Sequence, residues 1–321
     1  MRRSLYLVLF ILFLAQPCIA ETCSPIEVLQ IGDSSACDTA YEGILKGLAC
    51  RGFVKDANLS ISRTVLGAEA NPTLWQRITG FFHTRRVASS VIEAKPDLVI
   101  TLGPQATKAF CGKIAKSGIP VLYSGVCRSD ASGAGVIIRS RPSDMVGAAI
   151  LALPYIDRIG IIRTSDPDAV AFTEETEQEA GLLGIQVITR EIGPWESLRN
   201  AAGELLAQGI DAFIIPTDNS FETGELNAGE LIDEATSRRI PCISALPDSA
   251  AGTLMAPAPD FETVGELTAQ QAAGILNHTS NPGDLPVIAY TDQNFIVDLK
   301  TSKRLGIHFR PKSDTLLSLN N

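Results

Sequence analysis

Histidine and large aromatics are scarce in this chain: three His, two Trp and five Tyr among 321 residues. The histidines, His83, His278 and His308, stand far apart with no carboxylate pattern around them, and no CxxC spacing occurs. Zinc-type ligand sets come in short, regular spacings, so no metal site is expected. P-loop, Gly-x-Gly-x-x-Gly and HExxH patterns are also missing, which removes the usual signatures of nucleotide, dinucleotide and zinc-protease chemistry. No cofactor is expected. Basic residues are outnumbered, with 27 Lys and Arg against 36 Asp and Glu and a formal charge of −9. An acidic surface is a poor partner for nucleic acid or an anionic membrane. No apolar run reaches the roughly 20 residues that a membrane-spanning helix needs.

What is present begins with an export signal over residues 1–20. Arg2 and Arg3 form a basic start, residues 5–15 an apolar run, and Cys18-Ile19-Ala20 a small-residue site for cleavage before Glu21. The apolar core follows the arginines at once, which favours Sec over twin-arginine export. An uncleaved anchor is the alternative. The expected product is periplasmic, and it is long enough for two domains of ordinary size. Six cysteines follow the signal. In an oxidising compartment some should pair. Cys23 precedes the first strand and Cys50 ends the helix returning beside it, which makes them a reasonable disulfide. Cys37 and Cys127, both after strand ends, are a second pairing, while Cys242 reads as a buried thiol within a strand.

The chain alternates strand and helix. Strands are expected at residues 26–31, 59–65, 97–102 and 119–123, with helices at 39–50, 74–93 and 105–116. A Gly- and Ser-rich piece, residues 129–135, interrupts this rhythm and reads as a first crossing between lobes. Strands then recur at 158–163, 186–191, 212–215 and 240–244, between helices at 143–153, 172–184, 195–208 and 226–238. A helix over 261–276, extended pieces over 286–299 and a last helix from Lys300 complete the chain. Such alternation means βαβ units and parallel sheets. The halves also echo each other. KPDLVITLGPQ corresponds to GIDAFIIPTDN, and SGIPVLYSG to RRIPCISAL, with a helix between in each case. Two matches in the same order favour a duplicated architecture.

The tail FIVDLKTSKRLGIHFRPKSDTLLSL resembles the closing signature of the ABC-transporter substrate-binding protein family that includes tryptophan- and tyrosine-type binding proteins. DFETVGELTAQQAAGILNHTSNPGDLPV, KPDLVITLGPQATKAF, SGIPVLYSGV and GIDAFIIPTDNS are similar to the family's other segments. Cys127-Arg128-Ser129-Asp130 stands where the family often has Asp-Pro, Gly133-Ala134-Gly135-Val136 where it has Asn-Val-Thr-Gly, and Asp298 where Asn is usual. The resemblance implies a type I periplasmic-binding-protein fold: two Rossmann-like α/β lobes joined by a three-crossing hinge, closing over a ligand. Lobe one is then expected over residues 21–130 plus about 255–285, and lobe two over about 131–250 plus about 290–321. An inner-membrane ABC permease is the implied partner, and a membrane sensor kinase is the alternative.

Open α/β sheets bind ligands at the carboxyl ends of their strands. That rule selects Ser34 and Ser35, then Gly103, Gln105, Ala106 and Thr107, then Ser124 and Gly125 in lobe one. In lobe two it selects Thr164, Ser165, Asp218, Asn219 and Asp248. The Gly103 turn opens a helix whose first N–H groups suit an anion, whereas Asp218 can take a cation or cap a helix. Together they suit an amino acid or related zwitterion. A hydrolase reading also exists, because Ile31-Gly32-Asp33-Ser34 resembles the nucleophile turn of Gly-Asp-Ser hydrolases. That chemistry needs a base, and no Asp-x-x-His occurs in the chain. A binding protein without enzymatic activity is the expectation.

Overall fold

The computed structural model describes residues 24–67, 74–128, 133–193, 195–247, 252–308 and 316–319. The expected export signal, Cys23 and Asp248 lie outside them.

Two short apolar runs dominate the architecture. Strands β3 (Leu98–Leu102) and β8 (Ala212–Ile215) are buried at every position. Strands covered on both faces belong to parallel sheets sandwiched by helices. Each run lies inside such a sheet. The first sheet takes β1 (Ser24–Ile31), β2 (Leu59–Leu66), β3, β4 (Val121–Val126), β5 (Ala134–Ile138) and β11 (Ile288–Tyr290), in the order β11-β5-β4-β3-β1-β2. The second takes β6 (Arg158–Arg163), β7 (Gln186–Glu191), β8, β9 (Cys242–Ser244), β10 (Met255–Pro259), β12 (Gln293–Asp298) and β13 (Leu316–Leu319), in the order β13-β12-β10-β9-β8-β6-β7. Pairing is parallel throughout except between β10 and β12.

Helices α1 (Ser35–Ala49), α2 (Leu74–Ala94) and α3 (Gly103–Ala115) belong to the first lobe. The second has α4 (Pro142–Ala152), α5 (Pro167–Leu182), α6 (Leu198–Ala207), the short α7 (Asn219–Glu222), α8 (Ala228–Ser237) and α10 (Leu299–Leu305). Between them, α9 (Phe261–Leu276) returns to lobe one and lies on α1. That docking is close enough to demand glycine. A Cβ on Gly43 would stand 2.1 Å from the Glu262 carbonyl oxygen, and one on Gly265 2.1 Å from that of Ala40. The two lobes keep separate apolar cores on each face of their sheets. No described helix is long and apolar enough to cross a membrane.

The chain passes between the sheets three times, after Ile138, after Pro259 and after Tyr290. Two of these points differ from expectation. Residues 134–138 are a strand of the first sheet rather than part of a crossing, because Gly135 is used for close packing: a Cβ there would sit 2.0 Å from the Tyr123 carbonyl oxygen. Residues 255–259, expected in lobe one, form β10 of the second sheet. Prolines 257 and 259 both lie in that strand. They are tolerated because pairing with β9 stops at Met255, leaving an edge beyond it. Cys242 is buried inside β9 as a thiol whose pKa burial pushes up. Cys127 is also a free thiol, so the Cys37–Cys127 pairing does not form. Cys50 is exposed just past α1, and its expected partner lies outside the described residues.

Candidate functional site

The carboxyl ends of both sheets open onto one cleft of about 1820 Å³. Larger than the usual 300–1,000 Å³ of a small-molecule pocket, it has room for ligand and water together. From lobe one, the turns after β1 and β3 contribute Ser34, Gly103 and Gln105, and the carboxyl end of β4 contributes Gly125. From lobe two come Thr164 and Ser165 after β6 and Ser220 after β8. All but Ser220 are residues expected from the strand-end rule, and the fold brings them together.

The turn after β3 is built on a glycine. Gly103 takes φ +78, a conformation that glycine reaches without strain, and α3 starts there with Pro104 in its first turn. No side chain caps this helix start. Its first backbone N–H groups therefore remain available to an anion. The turn after β1 differs, because the Ser34 hydroxyl accepts from the Cys37 backbone N–H at 3.4 Å and caps α1.

Other expected residues stand behind the wall. Ala106 is fully buried, and the Thr107 hydroxyl bonds the Gly103 carbonyl and the Thr101 hydroxyl, each at 2.9 Å. The Ser124 hydroxyl accepts from Thr268 at 2.8 Å within the lobe. Neither Ser35 nor Asn219 is part of the lining, although the residues that follow them in α1 and α7, Ala36, Cys37 and Ser220 to Glu222, are.

Asp218 is the main correction. It is 1% exposed, and its carboxylate accepts from the Thr164 N–H, the Thr164 hydroxyl and the Ser220 N–H, each at 2.8 Å. It caps α7 and ties the β8 turn to the β6 turn, leaving no direction toward a ligand. Its geometry is that of a brace.

One acid that does reach the cleft is Glu222, one turn further on. Its Oε1 accepts from the Cys127 backbone N–H of the other lobe at 2.7 Å. Burial raises its pKa, opposed by the Cys127 bonds and the positive charge of Arg128. The Cys127 thiol is held well above its ordinary pKa by burial and by the Glu222 charge. A thiol held protonated in this way is a poor nucleophile. Nothing in the sequence singled out Glu222, because residues 219–225 carry no periodic pattern. An acid four residues beyond an N-capping aspartate was the only available hint.

Charge is distributed unevenly over the lining. Seven carboxylates reach it, and among the described residues no lysine, arginine or histidine does. Four of the seven have cations behind them: Asp166 with Arg128, Glu191 with Arg163, Glu196 with Arg190 and Glu225 with Lys108. Asp33, Glu222 and Glu230 have no such ion pair among the described residues. Ser34, the residue of the hydrolase-like turn, has no histidine in this lining to act as its base. The described residues also hold no cluster of three potential metal ligands. The lining thus combines many carboxylates, most of them from lobe two, with the uncapped start of α3 from lobe one.

A family model described as ABC transporter substrate binding protein matches residues 25–317, nearly the whole chain. No curated protein matches. Among solved structures, an ABC domain from Streptococcus pneumonia in complex with L-Trp superposes with a TM-score of 0.68 at 19% identity, covering 92% of this chain and 100% of that one. The ligand-free, open form of a substrate-binding protein with adhesive properties from Clostridium difficile gives 0.65 at 21% identity, covering 92% and 99%. A glucose-galactose binding protein from Geobacillus stearothermophilus gives 0.53 at 13% identity, covering 86% and 97%. Structural likeness at these identities establishes the two-lobed fold.

Proposed function

The chain belongs to the ABC transporter substrate-binding protein family, and we propose that its interlobe cleft captures an amino acid or related zwitterion outside the cytoplasm for an inner-membrane permease. A small-molecule substrate for an ABC transporter follows from the family. The zwitterion is the finer reading. One observation carries it: the uncapped start of α3 at Gly103–Gln105 faces a lobe-two wall rich in carboxylates. A ligand's carboxylate suits the first and its ammonium the second. The cation-binding role moves from Asp218, which is enclosed, to Glu222 and its acidic neighbours. A relative of the same fold is described in complex with L-Trp, which is consistent with this polarity.

Capture is a matter of lobe closure around the ligand, with no covalent step and no cofactor. A thermal-shift screen tests it. A ligand that binds only the folded protein raises its melting temperature by mass action. We expect free amino acids to stabilise the protein, and their amide or N-acetyl counterparts to do so less, because each derivative removes one of the two charges. Stabilisation by glucose but by no amino acid would overturn the zwitterion assignment while leaving solute capture intact.

A further inference from the structure

Besides the three crossings, the lobes are joined by side-chain bonds on one wall of the cleft. Arg128, just after β4 of lobe one, reaches the Asp166 carboxylate of lobe two at 2.6 Å and that of Asp168 at 3.5 Å. Asp166 is a prepared acceptor: its other oxygen takes the Asp168 N–H at 2.9 Å as it caps α5, and its side chain is 11% exposed. The Cys127 N–H donates to Glu222 on α7. Lys108, in the second turn of α3, pairs with Glu225 and reaches the Thr223 hydroxyl at 3.5 Å.

We propose that Lys108, Arg128 and Cys127 of lobe one, with Asp166, Glu222 and Glu225 of lobe two, form a latch that draws the lobes together without ligand. The polarity is one-sided. Every donor belongs to lobe one and every charged acceptor to lobe two, so the two faces attract as they approach. Residues 220–226 serve both purposes, since they line the cleft and carry two of the three acceptors. Closing the latch therefore carries the ligand-facing segment into place. The latch also has an inner and an outer part. Arg128 and Cys127 follow β4, next to the hinge strand β5, while Lys108 lies on the helix after β3, one strand further out. Rotation about the hinge separates the outer pair most, so Lys108–Glu225 breaks first as the lobes open.

Lys108–Glu225 is an exposed ion pair, which salt screens, and Arg128–Asp166 is partly buried and is screened less. This inference goes beyond the ligand reading and requires only that the lobes can open. Its test uses the protein with no ligand: the radius of gyration from small-angle X-ray scattering at low and high salt, for the wild type, the double variant Lys108→Gln/Arg128→Gln, and Lys108→Arg. We expect the wild type to be compact at low salt and to expand at high salt. The double variant should be expanded at both, and Lys108→Arg should keep the wild-type radius and salt response. A merely structural role would not produce that rescue or that salt dependence. Glu225→Gln breaks the outer pair from the opposite lobe, and it decides the matter if circular dichroism shows the double variant misfolded. A wild-type radius independent of salt, or equal radii for wild type and a folded latch variant at low salt, would overturn the proposal.

Discussion

The turns after β3 and β8 are written in similar letters and are used in opposite ways. KPDLVITLGPQ and GIDAFIIPTDN each run an apolar strand into a proline-containing turn with an amide-bearing residue. After β3 the helix begins at once, at a glycine with φ +78, and its uncapped start faces the cleft. After β8 the chain makes a tighter excursion. Asp218 folds inward, caps a four-residue helix and binds Thr164 of the neighbouring turn. One turn offers its backbone to a ligand, and the other uses its acid to hold two turns of one lobe together. A polar residue at a strand end is thus a candidate for contact only while its hydrogen bonds are not already satisfied by the fold.

The largest effect should come from breaking the enclosed turn. Asp218→Ala removes three hydrogen bonds to a buried carboxylate, and urea unfolding should show a loss of about 2–4 kcal/mol. An unchanged urea midpoint would return Asp218 to the ligand side of the comparison. Gly103→Ala should follow. A Cβ there meets only the Cys37 sulphur at 3.5 Å, so the change is chiefly the strain of a positive φ, about 1 kcal/mol. The same variant should weaken ligand binding, measured by calorimetry, because the helix start shifts with it.

Glu222→Gln tests the acid that took over the cleft-facing position. Its folded pKa lies above the ordinary value of 4.5. A raised pKa makes its contribution favourable below that ordinary value and loses it as pH rises through the folded pKa. The Gln variant should therefore melt at or above the wild-type temperature at pH 7, and the two curves should converge under acid conditions. Divergence on acidification would reverse the sign and remove burial as the dominant cause. The smallest stability change belongs to Gln105→Ala, within about 0.5 kcal/mol because the residue lines the cleft and holds no core position. Ligand affinity should nonetheless fall several-fold, by roughly the worth of one hydrogen bond. No change in affinity would place the ligand elsewhere along the cleft.

The strands of each lobe were readable along the chain because buried parallel strands leave short unbroken apolar runs, such as LVITL and AFII, that no other element explains as simply. Helix starts were readable where an Asp or Ser cap preceded them, as with Asp260 before α9 and Asp298 before α10. The misreadings share a cause. Gly135 reads as a linker glycine and residues 255–259, which include Pro257 and Pro259, as the start of a lobe-one segment, yet each works inside a strand because of what its neighbours do. A glycine admits the Tyr123 carbonyl, and a proline sits where the next strand has ended.

The amino-acid order by itself determined an α/β chain of two similar halves, the strand ends that could meet a ligand, and the family's closing segment. These depend on local patterns of apolarity and on turn chemistry. Only the tertiary structure decided which strand-end residues face the cleft, because that depends on where hydrogen-bond partners distant in sequence come to rest. Asp218 finds Thr164 across 54 positions of chain, and Glu222 finds Cys127 across 95. No local pattern records those meetings, and they set the direction in which each carboxylate points.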